Sequence, residues 1–215
     1  FVPGKLDPSG LFTLQDAFNE LTKDRPKEEQ YMPDSDLVKT DEGLKKIFDK
    51  WYEMEKARGE WWKSLPKCPC NLSNAKKETL FCGYTISTKW FCENPDPKTW
   101  GDPKAPSAAE GALHPGGKVS VRSKAVDGHY NQCIYDEYCN LITKTPGAGT
   151  VDDKKAGTMD HFHADVDPVL LGNYLDGGSR IGFSNMALGN TKMAEPAGDN
   201  VKKYHEVRPS WNDCP

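Results

Sequence analysis

The stretch Asp160-His161-Phe162-His163-Ala164-Asp165-Val166-Asp167 gathers imidazoles and carboxylates more densely than any other part of the chain. In an extended segment alternate side chains share one face. His161, His163, Asp165 and Asp167 would then project together and converge on zinc or another divalent ion. His114, His129 or His205 would complete the set. One reading is therefore a metal site built on His161 and His163, and, with an open coordination position, a metal-dependent enzyme. The other takes the segment as part of the fold, because a single His-x-His recurs by chance.

Other catalytic arrangements lack their signatures. No Gly-x-Ser-x-Gly elbow occurs, and nothing identifies a base beside a cysteine nucleophile. Gly116-Gly117 and Gly177-Gly178 lack phosphate-loop spacing and read as turns. Asp34, Asp36 and Asp41 do not follow a calcium-loop pattern and are expected to face solvent. Trp61, Trp62, Trp90, Trp100 and Trp211 are candidates for stacking on sugar rings, which would make a carbohydrate-binding module. In a chain poor in Leu and Ile, tryptophan is needed for burial first.

The elements that must position these groups change character near Pro66. Residues 1 to 10 hold two prolines and two glycines and read as an extended arm, with Phe1, Val2 and Leu6 apolar enough to dock on a neighbour. Thr13-Leu14-Gln15-Asp16 opens a short helix to about residue 23. A longer helix is predicted from Asp41 to Leu65, capped by Thr40, with Leu44, Ile47, Phe48, Trp51, Met54 and Trp61 or Trp62 forming an apolar stripe that packs as core. Beyond Pro66, Glu78 to Thr88 and Lys118 to Ser123 read as strands. Residues 94–106, 145–158 and 176–200 show little regular pattern and read as long connections, crosslinked or used.

Leu, Ile, Val and Phe make up 38 residues, about 18% of the 215, which is low for folding by hydrophobic burial alone. Six Trp, eight Tyr and seven Cys compensate through aromatic area and crosslinks. Seven cysteines without regular CxxC pairs point to an oxidising compartment. Cys68, Cys70, Cys82, Cys92, Cys133, Cys139 and Cys214 are expected staples, their connectivity open and the odd one either a buried thiol or a link to another chain. Phe1 in place of Met suggests a signal peptide already removed. Asn71-Leu72-Ser73 is an N-glycosylation sequon. The 28 basic and 32 acidic residues form no basic face, so nucleic acid is not an expected partner, and no apolar run reaches the roughly 20 residues of a membrane span.

Three cysteine-bearing stretches, Cys68-Pro69-Cys70-Asn71-Leu72, Asn131-Gln132-Cys133-Ile134-Tyr135-Asp136 and Arg208-Pro209-Ser210-Trp211-Asn212-Asp213-Cys214, resemble the landmarks of the AMOP domain, an extracellular module of adhesion-associated proteins, membrane mucins and sushi-domain proteins. Leu113-His114-Pro115-Gly116, Val121-Arg122-Ser123-Lys124, Asn140-Leu141-Ile142-Thr143 and Gly149-Thr150-Val151-Asp152 continue the likeness, which covers roughly residues 60 to 215. Two positions depart from it. Ile134 stands where the family has a second cysteine, and Cys139 where it tends to have glycine, which implies one disulfide rerouted or lost.

The resemblance implies adhesion, assembly or matrix organisation, no enzymatic activity and no cofactor. It also implies that the histidine-rich stretch is part of the fold and that Arg122, in the family's arginine-serine motif, ties loop carbonyls together. The chain is thus expected to be a secreted, non-enzymatic α+β protein: an arm at 1–12, a helical segment at 13–66 and a small, irregular, loop-rich, disulfide-stapled domain at 67–215. Its expected partners are further copies of itself in a coat, filament or matrix, or extracellular matrix and cell-surface proteins.

Overall fold

A computed structural model describes residues 40–72, 76–82, 85–91, 96–178, 193 and 197–215. The predicted arm, the predicted helix at 13–23, Cys92 and the side chain of Cys82 lie outside the described residues.

Helix α1 spans Asp41–Ala57, and the Thr40 hydroxyl accepts from Gly43 N at 3.0 Å. Its stripe of Leu44, Ile47, Phe48, Trp51 and Met54 is buried as the period requires. The helix ends eight residues before Leu65. Gly59 adopts φ +70°, the left-handed conformation that ends helices, and a separate 3-10 turn, Trp61–Ser64, follows.

The predicted single strand at 78–88 is a hairpin of β1, Lys76–Cys82, and β2, Thr85–Phe91, with Lys76 opposite Phe91 and Cys82 opposite Thr85. The predicted strand at 118–123 is β3, Val119–Arg122. It pairs antiparallel with β4, Tyr130–Tyr135, which pairs with the two-residue β5, Val151–Asp152. Residues read as a long connection lie along this sheet through the bridges Trp100 to Ser123 and Lys104 to Ser120.

Helices also occur beyond the N-terminal side. Helix α2, Ala108–Leu113, opens on a capping box between Ser107 and Glu110. Residues 159–175 form one helical run: α3, Met159–His161, a π-helical turn, Phe162–Val166, and α4, Asp167–Leu175. Helix α5, Asp199–Val207, closes the element order.

One apolar core joins α1, α4 and α5, with Phe48, Trp51, Leu170, Leu171, Val201 and Tyr204 at its centre. A second lies on the sheet around Trp100, Val121, Cys133 and Tyr135. A third, smaller one joins Trp62 and Leu65 to Val151. Burial takes Trp51, Trp62 and Trp100, so these tryptophans serve as core rather than as a sugar platform.

Candidate functional site

Between the sheet and the helices lies a cavity of about 640 Å³, lined in part by Glu110, His114, Arg122, Asp152, His161, Asp165 and His205. Its polar wall begins at α2. The capping box turns Glu110 toward the sheet, where its Oε1 accepts from Ser120 Oγ at 2.7 Å, Arg122 Nη1 at 2.9 Å and Gln132 Nε2 at 2.7 Å. Arg122 then donates from Nε to Asp152 Oδ2 at 2.9 Å. Its partners are carboxylates, not the loop carbonyls expected of it.

Asp152 reaches the cavity because Gly149 lets the chain run against β4. A Cβ on Gly149 would lie 2.3 Å from Gln132 O, and Gln132 N donates to Thr150 O at 2.9 Å.

Asp165 comes from the π-helical turn. Its carboxylate accepts from Asp153 N at 2.8 Å, Lys154 N at 3.0 Å and Arg208 Nε at 3.2 Å. Arg208 is fully buried and also pairs with Glu55 of α1. Arg58 binds Glu55 at 3.0 Å and Asp153 at 2.6 Å, and His129 Nδ1 lies 3.0 Å from Asp153 Oδ1. The Trp61 ring lies beside the guanidiniums of Arg58 and Arg208.

Burial opposes ionisation throughout, yet Arg122 with Ser120 holds Glu110 low, and Arg122 with His161 holds Asp152 low. His129 and Arg58 do the same for Asp153. Asp165 goes the other way: burial, with Asp152 and Asp153 nearby and only Arg208 and His161 opposing, pushes it up to about 6. Against the opposing effect of burial, Asp152 raises His161. Burial lowers His114, and burial with His114 nearby lowers His205 to about 4.

Residues 159–167 are helical rather than extended, so His161, His163, Asp165 and Asp167 do not share the one face expected of them. In a helix His161 and Asp165, four apart, share a face. Their ligand atoms and that of Asp152 all lie within 4.8 Å of one another. His163 instead sets Nδ1 3.0 Å from Asp167 Oδ2. Glu55, Glu110, Asp152 and Arg208 were not among the expected site residues, although Arg208 opens the last cysteine-bearing stretch and Asp152 closes Gly149-Thr150-Val151-Asp152.

Of the expected staples, Cys68 pairs with Cys133 and Cys70 with Cys214, with Cα separations of 5.7 and 5.4 Å. Cys139 is disulfide-bonded as well. Ile134, where a second cysteine was expected, is fully buried. Asn71 is exposed and donates from Nδ2 to Asn140 Oδ1 at 2.7 Å.

The two staples, the bridge from Asn71 to Asn140 and the bonds Leu72 N to Cys139 O and Leu141 N to Cys70 O join three distant segments into one corner. Tyr138 projects from it, 63% exposed. No described helix is long and apolar enough to cross a membrane.

The family model for the AMOP domain matches residues 44–214. No curated protein and no solved structure matches the chain.

Proposed function

Since the chain belongs to the AMOP domain family, an extracellular, adhesion-associated family, we propose that it is a secreted protein that works by binding and assembly rather than by catalysis. In this reading it is a subunit of an extracellular matrix, coat or filament. The observation that carries the proposal is the stapled corner. Cys68–Cys133 and Cys70–Cys214 fix residues far apart in sequence, and a rigid corner presents Tyr138 without the ordering entropy that a free loop would lose on contact. Large aromatic side chains of this kind anchor protein interfaces.

The ion pairs around Arg208 and Arg122 support the same reading. Each guanidinium is committed to two carboxylates, an arrangement suited to fixing a scaffold. Residues 1 to 10 would supply the docking arm and Asn71 would carry a glycan beside the corner. One of Cys82 and Cys92 would complete the staples as the partner of Cys139, leaving the other as the odd cysteine.

The test is sedimentation velocity on the secreted protein with and without residues 1 to 10. The full chain is expected to sediment as oligomers and the shortened chain as a folded monomer. A shortened chain that still assembles would remove the arm from the account.

A further inference from the structure

We infer that Asp152, His161 and Asp165 form a binding site for a first-row divalent metal ion at the wall of the cavity. Three separate observations converge on it.

The first is geometric. His161 Nε2 and Asp152 Oδ2 are 3.6 Å apart, too far for a hydrogen bond. Two ligands bound at about 2.0 to 2.1 Å around a tetrahedral ion stand about 3.3 to 3.5 Å from each other, so the gap is close to the edge of a metal polyhedron. The Asp165 carboxylate falls within the same 4.8 Å group. The π-helical turn, a feature that recurs at functional sites, carries Asp165 one helical step beyond His161.

The second is the support around the ligands. Metal-binding carboxylates are themselves held by hydrogen bonds from a surrounding shell. Arg122 holds Asp152 at 2.9 Å, and Asp153 N, Lys154 N and Arg208 hold Asp165. Both carboxylates are therefore oriented before any ion arrives, which lowers the entropy lost on binding.

The third is charge. Five carboxylates of two neighbouring ion-pair clusters, Glu55, Glu110, Asp152, Asp153 and Asp165, face three guanidiniums, Arg58, Arg122 and Arg208, and the Lys154 ammonium, 3.9 Å from Asp153. The carboxylates thus outnumber the arginine and lysine groups paired with them, surroundings that attract a cation. In addition His205, which lines the same cavity, keeps Nδ1 buried with no hydrogen-bond partner, and buried polar atoms without partners are uncommon. One imidazole with two carboxylates suits zinc better than calcium, which takes oxygen ligands alone.

The test uses the full chain, stripped with a chelator and with its disulfides intact, titrated with Zn²⁺ alone by calorimetry and checked by elemental analysis after dialysis. One Zn²⁺ per chain is expected, with affinity falling at least tenfold in His161→Ala and in Asp152→Asn and unchanged in His163→Ala. Absence of saturable binding, or equal affinity in His161→Ala, would overturn the site, the second result meaning that Zn²⁺ sits elsewhere on the surface. If those variants fail to fold, Co²⁺ added to the unmodified chain decides: visible absorption bands of a low-coordinate nitrogen and oxygen site support the inference, and the spectrum of aqueous Co²⁺ contradicts it.

Discussion

Arg208 and Glu55 meet in a fully buried charge-assisted hydrogen bond although 153 positions separate them in the chain. The pair ties the first helix of the family domain to its last landmark motif, and through Asp165 it reaches the cavity. Arg208→Met leaves Glu55 and Asp165 buried without their common partner. Removing one member of a buried pair costs about 3 to 5 kcal/mol. Denaturant unfolding is expected to show a loss of that order, partly restored in the double variant Arg208→Met with Glu55→Leu. A loss below about 1 kcal/mol for the single change would mean that water reaches the pair.

The staples should dominate stability. Loop closures of 65 and 144 residues correspond to roughly 4 and 5 kcal/mol on the chain-entropy scale. Peptide mapping without reduction should recover Cys68 linked to Cys133 and Cys70 linked to Cys214. The pair Cys70→Ala with Cys214→Ala should lose about 2 to 5 kcal/mol. Any other pairing in the map would overturn the description of the corner.

Two glycines should respond in opposite directions. Gly149→Ala drives a methyl group into the β4 backbone at Gln132, and overpacking of this kind costs about 1 to 3 kcal/mol or more. Gly111, inside α2, has open space at its Cβ position, so Gly111→Ala should gain about 0.5 to 1 kcal/mol by restricting the unfolded chain. Thermal melts of both variants check the contrast, and equal shifts would refute it.

Acid should act in stages. His114 and His205 have folded pKa values lowered by burial. The unfolded chain, with histidine near 6.5, takes up more protons than the folded one, so stability falls as pH drops from about 6.5 toward 4. Asp165, raised to about 6 chiefly by burial, opposes this, because protonating it favours the folded state. His161, raised by Asp152 against burial, contributes stability that is complete below about 6.5 and is lost as pH rises through its folded pKa. Glu110, Asp152 and Asp153, held low by their arginine and histidine partners despite burial, add a further loss below about pH 4. His205→Gln is expected to shallow the fall between pH 6.5 and 4 by up to about 1.4 kcal/mol per pH unit. An unchanged slope in urea unfolding would show that His205 takes up its proton in the folded state.

The helix stripe was legible because Leu44, Ile47, Phe48 and Trp51 carry a local period that needs no tertiary knowledge. The end of that helix was written in Gly59, but the predicted stripe continued to Trp61 and Trp62, whose burial belongs to another cluster. The histidine segment misled for a different reason. Phe162 and His163 to Asp165 are buried together, and in a short run buried on several sides the period-two and helical patterns cannot be separated. The site depends on partners from β5, α1 and the C-terminal segment, which no window on the sequence brings together.

Cys139 shows the reverse case. Its φ of +62° is the conformation glycine favours, which accounts for the glycine expected there from the resemblance. The cysteine bears the strain while forming a disulfide.

Assembly is the proposed mode of action of this protein. Light scattering coupled to size exclusion on the non-reduced chain tests this proposal. A mass well above the 24.0 kDa of the polypeptide is expected, rising with concentration or appearing as a fixed oligomer. A single species at the mass of one chain across the accessible concentration range would contradict it.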